Sequence, residues 1–173
     1  MIVWIIGLSG SGKTTLANAI IKEVQKVNAA VISLDGDSVR SLFGNDLGYT
    51  LNDRQTQSLR ICRMCEFFDK QGLHVICPFI SLFPDDRQWI RNNVKSYLEV
   101  YLDVPLDVLA ERDSKQLYSK FSLGEIDNVA GLDIAFPPPQ CPDLILKNNF
   151  NKEELMRNAS IISEKILDDR YGI

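Results

Sequence analysis

One short glycine-rich segment, directly after an apolar run at positions 2–6, constrains the fold of this chain more than any other feature. Its members are Gly7, Leu8, Ser9, Gly10, Ser11, Gly12, Lys13, Thr14 and Thr15. The order fits the pattern G-x-x-x-x-G-K-[ST], which needs a buried strand before it and a helix after it. Residues 2–6 are apolar throughout, and apolar side chains recur at helical spacing over residues 16–24. The segment therefore predicts a strand, a phosphate-binding loop and a helix in succession.

Each part of this loop has a chemical role in binding a nucleoside triphosphate. Glycines let the backbone turn tightly and direct its N–H groups towards an anion. We expect Lys13 to reach the β- and γ-phosphates and Thr14 to offer its hydroxyl to Mg²⁺. The helix that follows points its positive end at the phosphates. A linker rich in glycine and serine would match the same letters, but it would lack the flanking strand and amphipathic helix. The chain is expected to bind a nucleoside triphosphate.

Length, composition and charge are those of a single globular domain. The 173 residues make one domain of ordinary size, 1–173, in which 45% of residues are hydrophobic and 24% are charged. The net charge of −4 and the pI near 5.0 argue against a nucleic-acid partner, which would require a broad basic surface. The apolar runs are too short to span a bilayer, and the first strand begins without the basic region of a signal peptide. We therefore expect a cytoplasmic protein with no membrane partner.

The four cysteines are expected to be reduced thiols, as is usual in the cytosol. Cys62 and Cys65 form a lone C-x-x-C pair within a helical pattern, with no second pair and no nearby histidine. Residues three apart share one face of a helix, so burial explains this pair better than zinc binding or redox chemistry does. The single histidine, His74, is expected to be structural.

Apolar runs and helical patterns alternate along the chain. Strands are predicted at Ile2–Ile6, Val31–Leu34, Leu73–Cys77, Leu98–Asp103 and Leu144–Leu146. Helices are predicted over residues 13–27, 37–44, 53–71, 84–96, 105–112 and 151–169. Asp53 is expected to be the N-cap of the third helix, and Gly72 stands where that helix should stop. The alternation favours an α/β fold, in which helices cover both faces of a five-stranded parallel sheet.

One long segment does not fit the alternation. Residues 113–140 are polar, include three consecutive prolines and contain no clear strand. A segment of this length in a compact domain is usually either disordered or a functional lid. Apolar residues near its centre, among them Leu117, Tyr118 and Phe121, favour a lid that packs when it is closed. We predict that the lid covers residues 113–135.

Two aspartates and three arginines are the candidates for chemistry outside the glycine-rich loop. Asp35 and Asp37 follow the second strand, and ligands of open α/β sheets bind at the carboxyl ends of strands. Phosphoryl transfer needs one carboxylate to hold Mg²⁺ and one to accept the proton of the acceptor hydroxyl. Arg40 and Arg54 are expected to contact anions, because guanidinium groups suit phosphate or sulfate. A solvated surface position explains Arg60 equally well.

A family resemblance extends over nearly the whole chain. In order, the matching segments are Gly7–Leu16, Leu34–Arg40, Leu47–Tyr49, Asp53–Arg54, Phe79–Ser81, Arg112–Asp113, Lys115–Tyr118, Gly124–Ile126 and Gly131–Asp133. Together they resemble the adenylylsulfate kinase family. The resemblance implies a three-layer P-loop kinase domain with strand order 2-3-1-4-5 and a lid segment. It also implies that ATP and Mg²⁺ are used to phosphorylate the ribose 3′-hydroxyl of a small nucleotide, whose 5′ end carries a second acidic group.

The resemblance assigns roles to individual residues. The implied catalytic residues are Lys13, Asp35, Asp37 and Ser81, with Asp37 as the base. Thr14 and Asp35 are implied to hold the metal, and the nine loop residues with Arg112 to bind ATP. The implied acceptor site consists of Asp37, Arg40, Tyr49, Arg54, Phe79, Ile80, Ser81, Lys115, Leu117 and Val129. Ser81 occupies a position often described as a phosphoserine intermediate. Direct in-line transfer is favoured, because nothing nearby in the sequence would activate its hydroxyl.

Departures from the usual family pattern bear on the acceptor. Ser119 and Ser122 stand where the lid normally carries basic residues, and Val129 replaces an aromatic residue that stacks on the acceptor's base. The partner aromatic is kept as Tyr49. Fewer basic residues fit an acceptor of lower negative charge, and a missing stacking face costs a purine more than a pyrimidine. Both changes favour cytidine diphosphoramidate, a precursor in capsular polysaccharide decoration, over the alternative acceptor adenylyl sulfate.

Two other functions are compatible with a phosphate-binding loop of this kind. A GTP-dependent switch would need the base-reading motif Asn-Lys-x-Asp, and the nearest approach, at residues 151–154, lacks the final aspartate. A kinase for a sugar or a shikimate-like acid would use the same phosphate loop but would leave the lid sequence Gly124-Glu125-Ile126 unexplained. The sequence leaves the oligomeric state open, a homodimer included.

Overall fold

A parallel sheet lies between two layers of helices in the computed structural model, which describes residues 1–27, 29–113, 115–147 and 152–169. The strands are β1 (Ile2–Ile6), β2 (Val31–Ser33), β3 (His74–Phe79), β4 (Tyr97–Leu102) and β5 (Leu144–Leu146). Their order is β2-β3-β1-β4-β5, and every neighbouring pair is parallel. The predicted α/β class and strand order are therefore confirmed.

Helices connect the strands and cover both faces of the sheet. They are α1 (Lys13–Gln25), α2 (Gly36–Leu42), α3 (Leu51–Lys70), α4 (Pro84–Asn93), α5 (Leu106–Arg112), α6 (Leu117–Ser122) and α7 (Lys152–Asp168). All of them except α6 correspond to predicted helices, with ends that differ by no more than three residues where both ends are described. The start predicted at residue 151 lies outside the described residues.

The central strand β1 builds a core on each face of the sheet. All five of its residues have no exposed surface, which is why the run is apolar throughout instead of alternating. Val3 and Ile5 pack in the core formed with α1 and α7. Ile2, Trp4 and Ile6 pack in the core formed with α3 and α4. The carboxyl end of β1 is thereby fixed, and the glycine-rich loop follows it directly.

The two ends of α3 show one error and one success of the sequence analysis. Asp53 is not the N-cap: the cap is Thr50, whose hydroxyl accepts a hydrogen bond from the Asp53 N–H at 3.2 Å and donates one to its carboxylate at 2.7 Å. Asp53 thus lies at the third helical position of a reciprocal cap. Gly72 ends the helix as predicted, with a φ of 75° and its N–H donating to the Asp69 carbonyl at 2.9 Å.

The predicted burial of Cys62 and Cys65 is also confirmed. Both side chains lie on the inner face of α3, and burial raises the pKa of the Cys62 thiol well above its usual range. His74 is buried in β3, in agreement with a structural role. Within the described part of the chain, no helix is long and apolar enough to cross a membrane.

The short helix α6 was not predicted, because the segment around it is polar. Its first N–H groups are satisfied from outside the helix: the Asp113 carboxylate accepts hydrogen bonds from the N–H groups of Tyr118 at 3.0 Å and Ser119 at 2.9 Å. The Ser119 hydroxyl also donates to Asp113, and this bond lowers the pKa of the carboxyl. The start of α6 is therefore anchored by the carboxylate of Asp113, the first residue of the lid.

Candidate active site

A cavity of about 810 Å³ opens at the carboxyl ends of β1, β2 and β3. It is lined by the glycine-rich loop, the turn after β2, the start of α3, residues 78–83 at the end of β3 and just beyond it, and lid residues between 115 and 130. This is the edge at which open α/β sheets bind ligands. The volume is typical of sites for small molecules.

Most of the predicted site residues line this cavity. They are Ser9, Gly10, Gly12, Lys13, Thr14, Thr15, Asp35, Asp37, Arg40, Tyr49, Arg54, Phe79, Ile80, Ser81, Lys115, Leu117 and Val129. Gly7, Leu8, Ser11 and Arg112 do not line it. Arg112 contacts the loop itself, because its Nη1 donates to the Gly10 carbonyl at 3.3 Å. The structure thus brings most of the predicted residues to one place, and Arg112 supports the loop there.

The phosphate-binding loop is shaped to receive an anion. Gly12 is the N-cap of α1 with a φ of 98°, in the left-handed region that favours glycine. Lys13 folds back over the loop, and its Nζ donates to the Leu8 carbonyl at 2.8 Å. Burial first, and then the positive charge of Lys115, lower the pKa of Lys13 to about 8. A bound phosphate would relieve this repulsion, so the loop has an electrostatic reason to bind one.

Thr14 and Asp35 form the candidate metal site. The Thr14 hydroxyl donates to Asp35 Oδ2 at 2.9 Å. The other carboxylate oxygen of Asp35 accepts from the Asp37 N–H at 2.9 Å, which makes Asp35 the N-cap of α2 and fixes its orientation. A hydroxyl and a carboxylate next to a phosphate loop are hard oxygen ligands of the kind that Mg²⁺ prefers. The residues present therefore fit this ion.

The lid contacts the turn after β2 through an ion pair. Lys115 Nζ lies 2.6 Å from Asp37 Oδ2, although 78 residues separate the two in sequence. This hydrogen bond raises the pKa of Lys115. Both side chains remain exposed to the cavity, so a ligand can reach them.

Arg40 and Arg54 donate hydrogen bonds to backbone carbonyls near Tyr49. Arg40 Nη1 donates to the Gly48 carbonyl at 2.7 Å, and Arg54 donates to the carbonyls of Tyr49 at 2.9 Å and Asn128 at 2.7 Å. The two guanidinium carbons lie 4.7 Å and 5.4 Å from the centroid of the Tyr49 ring. Both arginines therefore order the walls of the cavity. Their contact with an anion stays a prediction.

Ser81 is held from two sides. Its hydroxyl accepts a hydrogen bond from Trp4 Nε1 at 3.0 Å, and its carbonyl accepts one from Arg87 Nη1 at 2.7 Å. The residue is buried and adopts a φ of 57° in the left-handed region. These contacts indicate a structural role at the edge of the cavity, which the sequence analysis did not identify.

The lid packs directly on the phosphate-binding loop. The Tyr118 hydroxyl donates to the Ser9 carbonyl at 2.9 Å. Gly131 lies so close to Leu8 that an added Cβ would be 2.8 Å from that side chain. From the sequence, Tyr118 is predicted only as an apolar residue of the lid. Its hydroxyl is the group that joins the lid to the loop.

Two polar side chains of α3 have different roles. Gln57 is buried and lines the cavity, and its Nε2 donates to the Gly36 carbonyl at 3.3 Å, so it supports the turn between the two aspartates. Arg60 lies outside the cavity. Its Nη2 is 2.7 Å from Asp46 Oδ2, and its guanidinium carbon is 4.0 Å from the centroid of the Phe43 ring. The surface interpretation of Arg60 is the one that the structure supports.

The two serines that replace basic lid residues do not line the cavity. The Ser119 hydroxyl donates to Asp113 at 2.6 Å, and the Ser122 hydroxyl donates to the Tyr118 carbonyl at 2.9 Å. Because neither serine lines the cavity, the missing basic residues at these two positions no longer indicate that the acceptor has a lower negative charge. Val129 does line the cavity and is 6% exposed. The missing aromatic stacking face at this position is therefore the observation that still bears on the base of the acceptor.

A parallel sheet with a phosphate-binding loop after its central strand, and a lid packed on that loop, defines the class of P-loop kinases. Within that class, the chain belongs to the adenylylsulphate kinase family, whose sequence model matches residues 1–147. The resemblance inferred from the sequence motifs is therefore confirmed.

Individual relatives agree with this membership. The chain is 40% identical over 162 residues to the probable adenylyl-sulfate kinase of Bacillus subtilis (strain 168), an alignment that covers 92% of this chain and 82% of that protein. It is 35% identical over 165 residues to the cytidine diphosphoramidate kinase of Campylobacter jejuni, with 95% of each chain covered. The solved structure of the Mycobacterium tuberculosis APS kinase in complex with AMPPNP and APS matches with a TM-score of 0.85 and 30% identity, over 94% of this chain and 95% of that one. The chain is an ATP-dependent kinase with an alcohol group as acceptor, and the GTP-dependent switch is set aside.

Proposed function

We propose that this kinase transfers the γ-phosphoryl group of ATP to the ribose 3′-hydroxyl of a nucleotide whose 5′ end carries a second acidic group. One observation carries the proposal: a single cavity connects the phosphate-binding loop at Lys13 with Asp37 and with the region between Tyr49 and Val129. A triphosphate and a nucleotide acceptor can therefore meet at Asp37. Membership of the adenylylsulphate kinase family supports the same reaction.

The chemistry requires a proton acceptor and a means of balancing charge. The acceptor O3′ would form a bond to the γ-phosphorus while the bond from that phosphorus to the bridging oxygen of ADP breaks. Asp37 would take the proton of the hydroxyl, and Lys13 would balance the charge of the transferred group. In the structure Lys115 is paired with Asp37 at 2.6 Å. We infer that Lys115 moves to the acidic 5′ group of the acceptor and leaves the Asp37 carboxylate free for the proton.

Thr14 and Asp35 are the residues that would hold Mg²⁺, and the hydrogen bond between them keeps both oxygens at the end of the phosphate loop. When bound, the ion would neutralise charge on the β- and γ-phosphates. Asp35 also fixes Asp37 through the helix cap, so the metal ligand and the base are held in one turn. We place the reaction in the cytoplasm, where ATP is available.

The acceptor we favour is cytidine diphosphoramidate. Its support is Val129, an aliphatic residue beside the cavity at a position where the family resemblance implies a stacking aromatic. A cytosine ring has less stacking surface than adenine and loses less when one aromatic face is absent. Adenylyl sulfate is the second candidate. It is favoured by the 40% identity to the probable adenylyl-sulfate kinase of Bacillus subtilis.

The test is a coupled ADP-release assay with both nucleotides as acceptors. We expect ATP turnover that depends on the acceptor, with the higher kcat/KM for cytidine diphosphoramidate, and a product that phosphorus NMR identifies as the 3′-phosphate. A 3′-deoxy analogue of each acceptor is the matched control, and it should support no turnover. Turnover with the 3′-deoxy analogue would exclude the 3′-hydroxyl as the acceptor group. A higher kcat/KM for adenylyl sulfate would show that adenylyl sulfate, and not cytidine diphosphoramidate, is the preferred acceptor.

A further inference from the structure

A buried arginine of α4 connects two segments that border the active-site cavity. Arg87 is 6% exposed, and its Nη1 donates to the Ser81 carbonyl at 2.7 Å. Its Nη2 donates at 3.3 Å to the carbonyl of Pro137, which is 50 residues away in sequence. Ser81 belongs to the wall segment, residues 80–83, which lines the cavity after β3. Pro137 belongs to the lid exit, residues 136–138, just beyond the predicted lid. One guanidinium group therefore joins the wall segment to the lid exit.

The proline run explains why the lid exit needs a donor from another part of the chain. Residues 137–139 are three consecutive prolines, which have no backbone N–H groups and favour an extended conformation without internal hydrogen bonds. The Pro137 carbonyl cannot find a donor within the run, and Arg87 supplies one. Phe136 adds an apolar contact, since its ring centroid lies 6.2 Å from that of Tyr101 in the core formed with α3 and α4. The chain is thus fixed where it leaves the lid.

The wall segment is held at one residue by both its main chain and its side chain. Ser81 adopts a φ of 57°, in the left-handed region that a residue with a Cβ atom adopts at a cost. Arg87 binds its carbonyl, and Trp4 Nε1 donates to its hydroxyl at 3.0 Å. Ile80 and Leu82, on either side of Ser81, line the cavity. The bond from Arg87 therefore helps to fix how these two neighbours are presented to a ligand.

Charge balance by itself does not account for the contacts of Arg87. Burial lowers the pKa of Arg87, and the negative charge of the buried Glu99 on β4 opposes this shift. Arg91, one turn further along α4, lies 3.1 Å from Asp143 Oδ2 and 3.7 Å from Glu99 Oε2. Two arginines thus lie beside one buried carboxylate. The ion pairs of Arg91 are with carboxylates, whereas Arg87 donates to the main chain at the cavity.

The lid has a separate anchor at its other end. The Tyr118 hydroxyl donates to the Ser9 carbonyl of the phosphate-binding loop at 2.9 Å, and Asp113 anchors the start of α6. This first anchor borders the expected ATP site. The second anchor, at Arg87, borders the wall segment, which belongs to the implied acceptor site. Loss of the second anchor should therefore leave the first in place.

We propose that Arg87 is a positioning residue for phosphoryl transfer, which holds the lid exit against the wall segment and so keeps the acceptor half of the lid closed over the cavity. This inference rests on the proposed function, because it concerns the acceptor of that reaction. Arg87 does not line the cavity, and it acts through the main chain of Ser81 and Pro137. Closure affects the chemistry, because water that reaches the γ-phosphorus converts ATP to ADP and inorganic phosphate without phosphorylating the acceptor.

The kinetic test compares Arg87→Lys with the matched control Arg91→Lys. Lysine keeps a positive charge near Glu99, but its single ammonium group replaces a planar fork that reaches two carbonyls. We expect Arg87→Lys to raise the KM for the nucleotide acceptor about fivefold or more, with the KM for ATP held within about twofold. The ratio of ADP to phosphorylated acceptor should also rise above the value of about one that coupled transfer gives. Arg91→Lys should leave all three quantities within about twofold of the wild type.

Two kinetic results would overturn the proposal. Equal effects of the two variants would show that Arg87 acts only through the charge balance around Glu99. An unchanged ratio of ADP to phosphorylated acceptor in Arg87→Lys would show that the lid exit does not control the access of water.

Amide hydrogen exchange tests the link without any acceptor. Arg87→Lys should increase exchange in the peptides that contain residues 80–83 and 129–136, because both lose the same anchor, while residues 117–119 near the Tyr118 anchor keep their wild-type exchange. Faster exchange throughout the chain would indicate general destabilisation and would contradict the specific role. If the wild type phosphorylates neither nucleotide, the proposed function fails, and the exchange result still decides whether Arg87 links the wall segment to the lid exit.

Discussion

Replacing Ser81 by alanine should destabilise the fold while leaving phosphoryl transfer largely intact. Ser81 is 1% exposed, and its hydroxyl is the acceptor for Nε1 of Trp4, a side chain with no exposed surface. Its φ of 57° lies in the left-handed region, which a residue with a Cβ atom adopts at a cost. The hydrogen bond therefore stabilises the folded state while the left-handed backbone destabilises it. Substitution of Ser81 by alanine and by glycine separates the two effects.

The size of each effect follows from these contacts. Ser81→Ala leaves the buried Trp4 N–H without its acceptor, which costs about 1–3 kcal/mol of unfolding free energy. Ser81→Gly loses the same acceptor, but it also removes a left-handed backbone penalty of about 1–2 kcal/mol. The greater freedom of glycine in the unfolded chain offsets about 0.5–1 kcal/mol of that gain. The glycine variant should therefore be more stable than the alanine variant by about 1 kcal/mol.

Urea unfolding of the three proteins measures these differences, and the m-value checks that the transition stays two-state. The control is Ser41→Ala, an exposed position on α2, which should change the unfolding free energy by less than about 0.5 kcal/mol. An alanine variant as stable as the wild type would show that the hydroxyl does not satisfy Trp4. The same variants test direct transfer, because a folded protein whose kcat has fallen more than about a hundredfold would point instead to a covalent phosphoserine.

The remaining predictions concern the reacting groups. Lys13→Ala should lower kcat at least tenfold, a barrier of about 1.4 kcal/mol, and a folded variant that keeps more activity would contradict the role of Lys13. Because the pKa of Lys13 is about 8 and a bound phosphate favours its charged form, ATP binding should take up a proton near pH 8 and weaken as the pH rises above 8. Calorimetry in buffers of different ionisation enthalpy measures this uptake, which should vanish near pH 6.5, where Lys13 is already charged. Asp37→Asn should lower kcat with little change in the KM for ATP, whereas Asp35→Asn should raise the Mg²⁺ concentration needed for half-maximal activity. Identical Mg²⁺ titrations for the two variants would refute the assignment of Asp35 as the metal ligand and Asp37 as the base. Val129→Phe should narrow the preference for the cytidine acceptor by adding a stacking face worth about 1–3 kcal/mol to adenine, and an unchanged preference would show that Val129 does not contact the base.

The sequence by itself determined the features that arise between near neighbours in the chain. The pattern over residues 7–15 predicts the phosphate-binding loop, because its glycines, Lys13 and Thr14 act within one turn of backbone. The unbroken apolar run of β1 predicts a strand buried on both faces. The sequence did not determine the exact capping residue of a helix where two neighbouring residues can both act as the cap. Thr50 and Asp53 can each cap a helix, and the path of the preceding loop selected Thr50.

Only the tertiary structure decided which distant groups meet. The tie from Arg54 to Asn128 spans 74 residues, and the bond from Trp4 to Ser81 spans 77. Sequence spacing fixes contacts within a helix or between adjacent strands, but it does not fix where a lid turn comes to lie over a sheet. Arg54, which is predicted to contact an anion, donates to two main-chain carbonyls, and Ser81, whose position the resemblance implies to be catalytic, accepts a hydrogen bond from a buried indole. Both outcomes follow from burial, because a polar group inside the fold must find its partner wherever the folded chain provides one.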